Sequence, residues 1–115
     1  MGHPVNNNTK AALIAHLDVA RRALDDAISM TRVDAWNERP DGNTTRTVWL
    51  AHIEWWERRR SYEIGVMKSV GTPHSTAESL DELNARIDRE SATREASEVI
   101  TSEAGAWWEL RTLVL

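Results

Sequence analysis

A chain of 115 residues fits one domain, and 14 Lys and Arg against 18 Asp and Glu leave a net charge of −4, which gives no general attraction to a phosphate backbone or an anionic bilayer. Cysteine is absent, so disulfides, thiolate nucleophiles and cysteine-ligated zinc are excluded together. The start MGHPVNNNTK lacks a cationic end followed by an apolar run; we expect a cytoplasmic, single-domain protein over 1–115 with a flexible leader at 1–8, and neither nucleic acid nor membrane as a partner.

A first helix is expected from a cap at Asn8 or Thr9 to about Met30. Leu13, Leu17, Ala20, Leu24, Ala27 and Ile28 recur at three- and four-residue steps, while Asp18, Arg22, Asp25 and Asp26 occupy the other side. Arg39-Pro40-Asp41-Gly42-Asn43 is a stop and turn signal, with Asn43 or Thr44 as the next cap. A second helix should run from about Thr45 to about Val70 and end at Gly71, Thr72 and Pro73. Its apolar residues, from Val48 and Trp49 through Trp55, Trp56 and Tyr62 to Met67, spread over about 200° of the circumference, an arc wider than one neighbour covers.

Ser79 and Glu82 have capping-box spacing, and Leu80, Leu83 and Ile87 form a short stripe behind them. A last helix from Ala96 or Ser97 carries Val99, Ile100, Trp107, Trp108, Leu110 and Leu113 to Leu115 over about 220°. An apolar helix of that kind, ending in Leu113-Val114-Leu115, needs cover, and a second copy of the chain is the simplest source.

Chemistry is read from what interrupts the apolar arc. In projection, His52, Arg59, Arg60 and Glu63 fall within the arc of the second helix, whereas Glu54, Glu57, Ser61 and Lys68 point away. Inward polar groups are costly unless paired or facing a cavity, so they form a satisfied network or the floor of a pocket. Arg59 and Glu63 have i, i+4 spacing, which suits an ion pair as well as a site. His52 is open to four roles: core histidine, general base, metal ligand or hydrogen-bond donor.

Six Trp, one Tyr and no Phe serve either core packing or a pocket and interface. No two of His3, His16, His52 and His74 share an i, i+3 or i, i+4 spacing, so we expect no intrachain metal site and assign no cofactor. GxSxG and GxxxxGK are missing, and the carboxylates are expected mostly on solvated faces.

The run Trp36, Glu38-Arg39-Pro40-Asp41-Gly42 and Thr47-Val48-Trp49-Leu50-Ala51-His52-Ile53-Glu54-Trp55-Trp56-Glu57-Arg58-Arg59 resembles the DinB/YfiT-like superfamily. There a W…RPDGW turn precedes a helix reading roughly TVxDVLAHIAxWERR. Asp81-Glu82-Leu83-Asn84-Ala85-Arg86 is similar to the DELN stretch of the ClbS/DfsB branch.

The resemblance is strongest over 36–60 and implies an antiparallel four-helix bundle, often dimeric, among relatives that include metal-dependent thiol transferases, a mycothiol-dependent isomerase and a hydrolase. His52 matches the helix histidine that ligates metal in some relatives. The later HxxxH-like helix that supplies their other ligands is absent, which fits the ClbS/DfsB branch, generally without a metal triad. Asn43 stands where relatives usually have Trp.

The expectation is therefore an all-α antiparallel bundle that lacks the usual C-terminal portion and is completed as a homodimer. It would bind or detoxify a small apolar or electrophilic ligand by hydrolysis or thiol transfer. His52, Glu63 and Arg59 are the candidate catalytic residues, and Trp49, Trp56 and Tyr62 the candidate ligand-binding ones. The alternative is a catalytically inactive bundle used for binding or assembly.

Overall fold

The computed structural model describes residues 7–69, 71, 72, 75 and 77–114, with side chains from Thr9 onwards. His3, Val70, Pro73, His74, Leu115 and most of the expected leader lie outside the described residues. Among the described residues every element is helical and none is a strand: α1 (Asn7–Met30), α2 (Arg46–Ser69), α3 (Leu80–Ser91) and α4 (Ala96–Val114), with a 3-10 turn at Val33–Asn37. The chain divides into two compact units, Met1–Arg32 and Val33–Leu115.

The first unit contains α1. Arg21 and Asp25 pair at i, i+4 with an N–O distance of 2.9 Å. The helix closes as the Thr31 N–H meets the Ile28 carbonyl at 3.2 Å and the Thr31 hydroxyl donates to the Ala27 carbonyl at 2.7 Å.

The second unit begins with the 3-10 turn, which buries Ala35 and Trp36. The chain then reverses at Arg39-Pro40-Asp41-Gly42, where the Gly42 N–H donates to the Arg39 carbonyl at 2.9 Å and Gly42 takes a φ of 82°, a conformation that favours a residue without Cβ. Asp41 Oδ1 accepts from the N–H groups of Thr44 at 2.8 Å and Asn43 at 2.9 Å, and these two bonds hold its carboxyl below the usual range. The cap of α2 is Thr45 rather than Asn43 or Thr44: its hydroxyl accepts from the Val48 N–H at 3.2 Å. Asp41 already engages the N–H groups of Asn43 and Thr44, which moves the first helical turn one residue on.

The capping box that starts α3 forms as expected, with the Glu82 N–H on Ser79 Oγ at 3.1 Å and the Ser79 N–H on Glu82 Oε1 at 3.4 Å. Leu83 and Ile87 are buried, whereas Leu80, at the first helical position, is exposed. α3 runs antiparallel to α2, since Asp88 meets His52 while Arg86, nearer the start of α3, lies over the Trp55 ring farther along α2. α4 runs parallel to α2: Ser102 bonds Glu54, and eleven residues later the Leu113 carbonyl accepts from Lys68 Nζ at 2.7 Å.

The buried side of α2 differs from the expected one. Leu50, Ala51, Glu54, Glu57 and Ser61 are buried, as are Val99, Glu103 and Ala106 of α4. Trp49, Ile53, Tyr62 and Met67, from the broad apolar arc, are exposed. Glu54, Glu57 and Ser61, which the sequence projects outward, are thus on the packed side, and these two glutamates and Glu103, at 0% exposure, are the buried exceptions among described carboxylates that are otherwise exposed or half-buried. The carboxylate of Glu54 is tolerated in this buried position because both of its oxygens accept hydrogen bonds. Apolar periodicity alone carries no information about such pairing.

Candidate functional site

His52 sits one turn and a half into α2, where the AHIxxW-like run brings it beside the last turn of α3. Its Nε2 lies 2.7 Å from Asp88 Oδ1, and its side chain is 23% exposed. An ionised carboxylate only accepts, so Nε2 is the donor in this contact, and in the neutral ring the lone pair is then on Nδ1. Among the described residues Nδ1 has no hydrogen-bond partner. This is the arrangement of a base oriented by an acid.

Asp88 also lines an open pocket of about 250 Å3 together with Arg39, Asn43, Thr44, Thr45, Val48 and Ala92. The turn thus contributes more than chain reversal: Arg39 is fixed by donation from Nη1 to the Asn43 carbonyl and is turned to the cavity wall.

A second cluster lies at the α2–α4 seam. Glu54 Oε2 accepts from Ser102 Oγ at 2.6 Å and Arg58 Nε at 2.9 Å, and Oε1 accepts from Arg94 Nη1 at 2.9 Å. Burial pushes this carboxyl up, but hydrogen bonds from Ser102, Arg58 and Arg94 outweigh it and the net shift is downward. Arg94 also grips Glu98 with two bonds, at 2.8 and 2.7 Å, which hold its guanidinium charged and keep Glu98 ionised. The cluster borders a smaller cavity of about 100 Å3 beside Trp55 and Ile87. A carboxylate held this firmly in its ionised form is a clamp for two guanidiniums rather than a proton carrier near neutral pH.

The other residues expected at a site fall elsewhere. Trp49, Trp56, Arg59 and Glu63 share with His52 the side of α2 facing away from the α4 seam, while Tyr62 is rotated about 100° from that row. Arg59 lies 3.6 Å from Glu63 and 4.9 Å over the Tyr62 ring; Arg60 contacts Glu63 and stacks 5.2 Å over Trp56. Helical rise separates His52 from Arg59 by ~10 Å and from Glu63 by ~16 Å along the axis. One residue row is therefore shared, but Arg59 and Glu63 form their own cation–aromatic cluster, and none of the six expected residues lines either cavity.

The sequence reading missed Asp88, Arg39, Glu54 and Arg94. Glu54–Arg58 and Arg94–Glu98 stand at i, i+4 and were detectable as local pairs. Asp88 gives no such signal, because its partner lies 36 residues away. Among the described residues no group of three His, Asp or Glu side chains is placed to hold a metal ion. No helix among them is long and apolar enough to cross a membrane. Searches of protein-family models, curated proteins and solved structures found no match to this chain.

Proposed function

We propose that the chain is a cytoplasmic small-molecule-binding protein of DinB/YfiT-like type, nearest the ClbS/DfsB branch, that detoxifies an electrophile by hydrolysis. The observation that carries this reading is the 2.7 Å contact of His52 Nε2 with an aspartate that also lines the larger cavity. In the proposed step, Nδ1 of His52 takes a proton from water as that water adds to the electrophilic carbon, Asp88 stabilises the imidazolium that forms, and the imidazolium returns the proton to the leaving group as its bond to that carbon breaks. The thiol-transfer variant differs only in the nucleophile, a thiol in place of water.

The test uses 4-nitrophenyl acetate as a generic electrophile. Release of 4-nitrophenolate above the buffer rate is expected to vanish in His52→Gln, to fall by about tenfold or more in Asp88→Asn, and to persist in His16→Gln. Equal rates in the wild type and His52→Gln would sink the reading.

Assembly is supported separately by Trp108, which is 66% exposed on α4. An indole so uncovered suits an interface, and we propose a homodimer closed over the outer face of α4. This same observation favours the second reading, in which the bundle binds or assembles without catalysis; that reading gains if sedimentation shows a dimer while the esterase test fails.

A further inference from the structure

The larger cavity presents opposite charges from two different elements. Arg39 comes from the turn and Asp88 from α3, and Val48 and Ala92 are the apolar residues of the same lining. The exposed Arg39 guanidinium donates from Nη1 to the Asn43 carbonyl and lies in the field of the Asp41 carboxylate, which leaves further N–H donors. Asp88 uses Oδ1 for His52, which leaves Oδ2 as an acceptor. A guanidinium and a carboxylate that line one pocket from two elements present it with charges of opposite sign.

A purely anionic ligand would satisfy Arg39 and be repelled by Asp88, and a cation would meet the reverse. A molecule bearing both charges satisfies both walls. Size narrows the class further: about 250 Å3 corresponds to roughly eight waters at ~30 Å3 each, hence to a ligand of about as many heavy atoms.

We propose that this cavity binds a small amphoteric molecule, its carboxylate on Arg39 and its ammonium on Asp88, with a short aliphatic spacer over Val48 and Ala92. The proposal rests on the reading of this cavity as the ligand site and names the class of ligand. Bound in that way, the ammonium lies on Asp88, whose other oxygen contacts His52.

The experiment is a titration of 15N-labelled protein followed through its amide signals, with 4-aminobutanoate as the probe and butyrate and butylammonium as controls bearing one charge each. The expected result is a shift of the Asn43, Thr44 and Ala92 signals by 4-aminobutanoate in the millimolar range, with each control weaker by about fivefold or more. Arg39→Gln should weaken 4-aminobutanoate to the level of butylammonium, and Asp88→Asn to the level of butyrate, while spectral dispersion shows both variants folded. Butyrate or butylammonium binding as tightly as 4-aminobutanoate would overturn the proposal, as would no response to 4-aminobutanoate at about 0.1 M.

The two readings fail separately. Ester hydrolysis that depends on His52, without amphoteric binding, removes only the ligand class. Amphoteric binding without His52-dependent hydrolysis removes the catalytic reading and leaves the binding site standing.

Discussion

The two long sides of α2 carry similar residue types and use them differently. On the α4 side, Glu54, Glu57 and Ser61 are buried, and Glu54 is gripped by Ser102, Arg58 and Arg94. On the opposite side, Arg59, Arg60 and Glu63 pair along the helix surface beneath exposed or half-buried aromatic rings. Both sides contain ion pairs, but only one closes a helix–helix contact. The energetic weight of a charged pair follows from what its removal leaves behind in the protein interior, so chemically alike pairs on the two faces of one helix differ severalfold.

The strongest way to break this comparison is Glu54→Ala. It strips two guanidiniums and a hydroxyl of their acceptor, and urea unfolding should show a loss of about 2–4 kcal/mol. Because the folded-state carboxyl of Glu54 lies below its ordinary value of 4.5, its contribution is full above that value and is lost as the pH falls through the lower folded-state value. Wild-type stability should therefore drop on acidification below pH 4.5, and Glu54→Gln should drop less over the same window. Parallel acid profiles for the two proteins would show that the seam does not depend on this charge.

Ser61→Ala sharpens the comparison from the other direction. The Ser61 hydroxyl is buried without a hydrogen-bond partner among the described residues, so its removal should raise stability by about 0.5–1.5 kcal/mol in the same urea assay. A loss of that size would mean that the hydroxyl is satisfied in solution. The smallest effect is expected at Arg60→Gln on the outer side, where an exposed pair with Glu63 should contribute no more than about 0.5 kcal/mol. An Arg60 effect as large as that of Glu54 would erase the distinction between the faces.

Local signals were legible in sequence and tertiary pairings were not. The box at Ser79 and Glu82, the turn at Arg39 to Gly42 and the extents of α2 and α4 depend on neighbours a few residues apart, and the structure agrees with them to within a residue or two where both ends are described. The orientation of α2 was lost because its apolar residues cover more than half its circumference, so their mean direction does not mark the packed side. His52 was recognisable as a residue worth attention, but Asp88 and Arg39, which give it an orienting partner and a neighbouring cavity, are joined to it only by the fold.

The parallel course of α2 and α4 also bears on how the unit assembles. Bonds joining the two helices connect residues 44, 45 and 48 positions apart, so each closes a chain loop of almost the same length. Loop-closure entropy rises only with the logarithm of length, and the first of these contacts bears nearly all of it. Once Ser102 has reached Glu54, the remaining bonds form between strands of chain already held side by side, and the interface zips in one direction from Arg94 towards Leu113. The transition state for folding is then expected to be polarised, with early structure at the end where α3 turns into α4.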